Sequence, residues 1–263
     1  MSPIEQSIKK KIEAVGTPLK DWDINIYRGV LTGYNDAFII TTSKRDEILS
    51  NCQNEDEKKR TAELIRPILR GRDIKRYGYN WAELWLINTH NGVKGRIPRI
   101  RIEEYPAIKA HLDNYWSKIK DRADQGDTPY NLRNCAYLED FDKPYIAYCE
   151  IGFEMNACLV QKQTYINNKA YLVSGRNLNF LLLFFNSKLF NRIILKSANL
   201  TGGKGVDFMS KIHVPYLDNE KQERVEDLLK GNASEEDRDN FIYDLYSLSS
   251  NERNFVQSSY PSL

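Results

Sequence analysis

The 263 residues contain three histidines, three methionines and four cysteines, and no two prolines are adjacent. Each scarcity argues against a class of chemistry. Cys52, Cys135, Cys149 and Cys158 form no Cys-x-x-Cys pair and have no histidine at zinc-ligand spacing, against both a metal site and a disulfide framework. Free thiols in a reducing cytoplasm are the expectation. His90, His111 and His213 are scattered, with no Ser or Cys nucleophile at recognisable spacing, and each reads as a surface or structural histidine. Without a Pro-Pro pair the chain lacks the Asn/Asp-Pro-Pro-aromatic motif that a methyltransferase acting on a base amine uses to hold a flipped base. Gly202-Gly-Lys-Gly lacks the spacing of a phosphate loop. Glu150 and Glu154 are not followed two residues on by the lysine that a Mg-dependent nuclease requires. No catalytic residue, cofactor or metal is expected in this chain. The longest apolar run, Phe180 to Phe185, is too short to span a bilayer, and the N-terminus has no secretion-signal core. A soluble, cytoplasmic protein with no membrane partner is expected.

Against these scarcities stands one dense cluster. Arg66 to Tyr77 gathers Arg66, Arg70, Arg72, Lys75 and Arg76 around a single acid, Asp73, with Gly71 where the backbone can turn or approach a partner. The planar donor fork of arginine fits phosphate oxygens and the major-groove edge of guanine, so the composition suits nucleic acid. The plainer reading is a surface turn with scattered ion pairs. The formal net charge is +2, so any affinity for a polyanion has to come from charge placement. A second cluster, Lys94, Arg96, Arg99 and Arg101, lies in a loop with two glycines, and Arg99 and Arg101 alternate about Ile100 as if to share a strand face. The chain ends acidic: Asp218 to Asp239 carries nine acids and four bases, a segment that would repel DNA.

Periodicity predicts a mixed α/β chain without internal repeats. Ser2 to Ala14 reads as a capped helix, Trp22 to Tyr27 as a half-buried strand, and Gly33 to Asp36 as a turn. Lys44 to Leu69 reads as charged and helical, with Ala62, Ile65 and Leu69 on one apolar face. Leu84 to Ile87 is expected as a strand and Tyr105 to Arg122 as a helix, followed by strands over Lys143 to Ile151, Ala157 to Val160 and Ala170 to Val173. Leu178 to Leu195 reads as an apolar helix broken at Asn186, Thr201 to Gly205 as a flexible basic loop, and Lys211 to Pro215 as a strand. Two polar helices over Asp218 to Ser247, joined at Gly231-Asn232, close the chain. The expected architecture is a twisted sheet with inserted helices and a helical C-terminus.

Several stretches, in this order, carry a family likeness. Gly16-Thr-Pro-Leu-Lys-Asp-Trp, Tyr27-Arg-Gly-Val-Leu-Thr-Gly-Tyr-Asn-Asp-Ala-Phe, Leu69-Arg-Gly-Arg-Asp-Ile-Lys-Arg-Tyr, Tyr105-Pro-Ala-Ile-Lys-Ala-His-Leu and Asp142-Lys-Pro-Tyr-Ile resemble the C-terminal specificity domain of TaqI-like and type IIG restriction-modification enzymes. Phe185-Asn-Ser-Lys-Leu-Phe-Asn and Val214-Pro-Tyr-Leu, then Gln222, are similar to the end of target recognition domains found there and in type I specificity subunits. The likeness runs from about Gly16 to Gly231. It divides the chain into a linker helix (1–15), a target recognition domain (16–216) and a helical segment (217–263).

The resemblance implies a domain that reads double-stranded DNA for an adenine-N6 methyltransferase domain or subunit outside this chain, sometimes with a nuclease. S-adenosylmethionine would belong to that missing part. Arg70, Arg72, Lys75 and Arg76 are the first candidates for DNA contact; Arg96, Arg99 and Arg101 come next, then Arg133 and Lys204. Asn88, His90, Asn91 and Asn131 are candidate base readers, since amide and imidazole groups both donate and accept. Against each stands the plainer role of a polar residue capping a loop. Arg28, Thr32, Gly33 and Asn35 read as turn architecture, and Asp73 as a residue that orients a neighbouring arginine. The alternative is a protein interaction module, in which the acidic helices and the aromatic helix at Tyr105 to Trp116 dock a methyltransferase subunit.

Overall fold

The computed structural model describes residues 2–196, 203–231 and 233–258. Helix α1 (Pro3–Val15) opens with the predicted cap, Ser2 and Glu5 closing a capping box ahead of Pro3 at the first turn. It buries Ile8 and Ile12, one turn apart, in a core shared with the last of the described helices. There follow β1 (Thr17–Pro18), β2 (Ile24–Arg28), helix α2 (Asn35–Phe38), β3 (Ile39–Thr41), and helices α3 (Thr42–Ser50) and α4 (Glu55–Leu64). The helix expected through Leu69 stops at Leu64, and Ile65–Leu69 is a strand, β4. Pro67 cannot donate within a helix, and the branched Ile65 and Ile68 pack well on a pleated sheet. The short strands β5 (Ile74–Lys75) and β6 (Gly78–Tyr79) form a hairpin, and β7 is Leu84–Ile87.

The predicted helix at Tyr105 to Arg122 is two pieces, α5 (Pro106–Asp113) and α6 (Trp116–Ile119). Strands β8 (Tyr145–Cys149), β9 (Ala157–Val160), β10 (Tyr165–Ile166) and β11 (Ala170–Gly175) precede helix α7 (Leu178–Phe185). A π-helical turn, Phe190–Ile194, follows the break at Asn186. After Val206–Ser210, strand β12 (His213–Val214) pairs antiparallel with β1, and helices Asn219–Lys230, Glu235–Leu245 and Ser250–Ser258 finish the fold. Thr201, Gly202 and Asn232, placed by the sequence in a basic loop and a helix joint, lie outside the described residues.

The central sheet runs β2-β11-β8-β9, antiparallel throughout, and both faces are covered. Alternation along the strands sorts the side chains: Ile146, Tyr148, Tyr171 and Val173 join one core, while Tyr145, Ala147, Ala170 and Leu172 join the other. Burial on both sides explains the near-continuous apolar sequence of β8. The first core takes α1, α7 and the C-terminal helices, so one apolar cluster unites Ile8, Phe184 and Tyr243. Helix α7 buries six consecutive side chains, Phe180 to Phe185, each contributing about 1.5–3 kcal/mol. The second core lies between the central sheet and a second sheet, β10-β4-β7-β3, backed by α3 to α5.

Candidate nucleic-acid interface

The basic turn leaves the C-terminal end of β4 and rests on the central sheet. A Cβ on Gly71 would stand 2.7 Å from the Lys169 carbonyl oxygen and 3.1 Å from Cys149 Sγ, so only glycine lets the turn sit this close. The Tyr77 N–H donates to the Ala157 carbonyl at 2.9 Å, tying the far end to β9. Within the turn the cations divide into two sets. Arg70 donates from Nε and Nη2 to the Asp73 carboxylate at 2.7–3.3 Å, and the Arg70 backbone N–H adds a third donor at 2.8 Å. Burial pulls the Asp73 carboxyl upward, but Arg70 and its N–H, with Arg72 nearby, outweigh this and hold it below the ordinary range. Asp73 is 5% exposed, so this fork is a buried strut. Arg76 points inward across Tyr77, donating to the Asn186 carbonyl at 3.0 and 3.1 Å and pairing with Glu235. Arg72 and Lys75 face solvent, and Lys75 donates to the Arg72 carbonyl at 3.0 Å.

The second cluster occupies the opposite end of the same strand pair. In the antiparallel register Ile65 faces Ile87 and Pro67 faces Trp85, so Asn88 and the loop beyond it leave from the start of β4 while Arg70 leaves from its end. Five residues of strand separate the two exits by roughly 15 Å. In this loop the cations sit at the surface beside acids: Arg96 with Glu139, Arg99 with Asp127 at 3.1 Å, and Arg133 with Asp124 at 3.1 Å. Arg101 is exposed.

The four candidate base readers hold the loop together. Asn88 is buried and donates to the Tyr165 hydroxyl at 2.9 Å. Asn131, 2% exposed, donates to the Ile100 carbonyl at 2.9 Å and accepts from Thr128 Oγ1 at 2.7 Å. Asn91 bridges Asp127 and Asn134, and His90 Nδ1 accepts from the Gly92 N–H at 3.2 Å. Burial also pushes the His90 imidazole below its usual value. All four side chains hydrogen-bond within their own fold.

Lys204 departs furthest from expectation. It is 2% exposed, and its Nζ donates to the carbonyls of Gly152 at 3.2 Å and Glu154 at 2.7 Å, in the loop between β8 and β9. Flanking glycines suggested an exposed loop, but the acceptors lie fifty residues away in sequence. A second buried cation escaped the sequence reading altogether. Arg122 donates to the backbone carbonyls of Thr32 at 2.9 Å and Ile119 at 3.3 Å, reaches those of Pro129 and Asn131, and covers the Phe38 ring at 4.6 Å. Among the described residues no carboxylate pairs with it directly, and burial lowers its pKa to about 10. It seats the Thr32-Gly33 turn: Thr32 Oγ1 donates to Asn35 Oδ1 at 2.7 Å, and Gly33 has φ +72°. Only its place at the end of an amphipathic run hinted that Arg122 turns inward.

Among the described residues no group of acids, histidines and cysteines is placed to hold a metal ion, and no helix is long and apolar enough to cross a membrane. The family model of the TaqI-like C-terminal specificity domain matches residues 66–213. The fold is similar to that of the type IIL restriction-modification enzyme MmeI in complex with DNA, at TM-score 0.60 and 12% identity over 93% of this chain and 35% of that one. It is also similar to the type IIG restriction endonuclease BpuSI, at TM-score 0.56 and 12% identity over 97% and 32% of the two chains. The chain spans about a third of the length of either enzyme. No curated protein matches it.

Proposed function

The chain belongs to the TaqI-like C-terminal specificity domain family, and from that premise we propose that it reads double-stranded DNA for a restriction-modification enzyme whose adenine-N6 methyltransferase lies outside these residues. The observation that carries the reading is the division of the basic turn. Arg70, Asp73 and Arg76 brace the backbone, and the same bracing presents Arg72 and Lys75 to solvent on a fixed platform. Holding a phosphate there orders little beyond these two side chains, and phosphate contacts set the register from which base edges are read. The second loop adds Arg96, Arg99, Arg101 and Arg133. A separation of roughly 15 Å between the loop exits corresponds to four or five base pairs at 3.4 Å rise, within the span of a short recognition site.

The acids beside Arg96, Arg99 and Arg133 do not count against this role. Exposed ion pairs are worth about 0–1 kcal/mol, so a phosphate can displace Glu139, Asp127 or Asp124 at small cost. S-adenosylmethionine belongs with the catalytic part of such an enzyme, outside these residues, and the sequence has no proline-pair clamp for a flipped base. Base reading falls to exposed side chains around the two loops, with Asn88, His90, Asn91 and Asn131 setting loop shape.

The test is selection of the isolated chain on a randomised duplex pool at low and moderate salt, followed by sequencing. Enrichment of one short motif is expected. Retention without enrichment, lost as salt rises, would leave only phosphate holding in this chain. Absence of retention, with capture of a methyltransferase polypeptide instead, would favour the docking reading.

A further inference from the structure

The loop between β8 and β9 carries Ile151 and Phe153 at 70% and 83% exposure, the two most exposed large apolar side chains among the described residues. Single apolar side chains on a surface are ordinary. This pair differs because the backbone beneath it is fastened on every side. Lys204, buried, binds the carbonyls of Gly152 and Glu154, which flank Phe153. The Cys149 thiol donates to the Ile151 carbonyl at 3.0 Å, and the Glu150 N–H donates to the Lys169 carbonyl at 3.0 Å. Met155 is buried, with its N–H on Asn191 Oδ1 at 2.5 Å. Gly152 takes φ +134°, a conformation L side chains rarely adopt. The tip is therefore held out to solvent by a frame that draws on three distant parts of the chain.

The surroundings indicate what the tip meets. Gly71 of the basic turn packs directly on Cys149 and Lys169, at the root of this loop, so the turn that carries the exposed Arg72 and Lys75 adjoins it. The carboxylate of Glu150 is taken by Arg28 Nη2 at 2.9 Å and Tyr171 Oη at 3.3 Å, which lessens its repulsion of a polyanion. Two side chains on a narrow loop are too little for a stable protein interface, which buries roughly 800 Å² per partner. They are the right size for one base step, where apolar wedges unstack neighbouring bases and kink a duplex. We propose that Phe153, backed by Ile151, is such a wedge: it enters a base step of the duplex next to the phosphates that Arg72 and Lys75 hold. This rests on the DNA-reading function proposed above.

The experiment uses the full chain and duplexes recovered from the pool selection, with 2-aminopurine placed at successive adenine positions. Wild-type protein should raise the 2-aminopurine fluorescence severalfold at one step. Phe153→Ala should abolish that rise and weaken binding roughly tenfold while leaving the salt slope unchanged, because no phosphate contact is lost. Phe153→Leu should keep most of the signal. Lys204→Met, which loosens the frame without touching the tip, should reduce the signal with little change in slope. Bound duplex with no change in 2-aminopurine at any position, or Phe153→Ala behaving as wild type, would overturn the wedge and leave DNA reading intact. Loss of capture of a methyltransferase polypeptide by Phe153→Ala, with duplex binding unchanged, would place the tip at a protein interface and equally overturn it. Failure of wild-type protein to bind any duplex would bring down the functional reading as well.

Discussion

The turn at 70–76 and the loop at 88–101 have similar charge and entirely different foundations. The turn is braced by ions: a buried carboxylate, Asp73, grips Arg70, and Arg76 reaches across to Asn186 and Glu235. The loop is braced by amides and carbonyls, through Asn131 on Ile100 and Arg122 on the carbonyls of Pro129 and Asn131. In the turn, half of the cations are consumed in building the site and the rest are presented. In the loop, the building is done by neutral groups and one buried arginine, so its surface cations stay available. A count of positive residues would have scored the two alike.

The largest expected effect comes from removing the loop's foundation. Arg122→Met should leave several buried carbonyls without donors and cost about 3–4 kcal/mol, read as a drop in the urea midpoint. Breaking the turn's foundation should cost somewhat less: Asp73→Ala strands the Arg70 guanidinium and should lose about 3 kcal/mol. If the two variants are equally mild, the foundations are not what hold these segments.

Acid sharpens the same contrast. The folded Asp73 carboxyl lies below the ordinary value of 3.8, so its contribution to stability is present above that value and is lost as pH falls through the folded one. The stability gap between wild type and Asp73→Asn should therefore narrow below about pH 4. The Arg122 gap should not narrow with it, since arginine stays charged throughout; chemical denaturation across pH 3–6 measures both.

The presented cations should show the reverse profile. Arg72→Ala with Lys75→Ala should change stability by less than about 0.5 kcal/mol and flatten the salt dependence of duplex binding by about two in slope. A comparably small change in stability, within about 1 kcal/mol, should come from replacing Arg96, Arg99 and Arg133 by Gln. Their share in the salt slope then reports whether the acids beside them yield to phosphate. An unchanged slope would remove these three arginines from the phosphate contacts.

What the sequence made legible follows the range of the interactions. The cap at Ser2, the strand Ala157–Val160 and the break at Asn186 depend on neighbours within a few residues, and their types announce them. Asp73 was readable as an arginine's partner for the same reason. Whether Arg70 or Arg72 would be the braced one was not, because that depends on how the turn rests against Cys149 and Lys169. Lys204 and Arg122 were misread or missed because burial of a cation is decided by carbonyls far away in sequence. The strand at Ile65–Leu69 was hidden by the charged helix that runs into it. The asparagines of the second loop show the same limit: their donors and acceptors suit a base edge and a neighbouring carbonyl equally well.

The contact between the first and last helices carries one more consequence. Ser7 and Lys11 both reach Glu252, at 2.8 and 2.6 Å, so the two ends of the described fold are clasped together on one side. Glu252 is 4% exposed and holds Ser7 and Lys11 at once, so anything that loosens one of these helices should loosen the other with it.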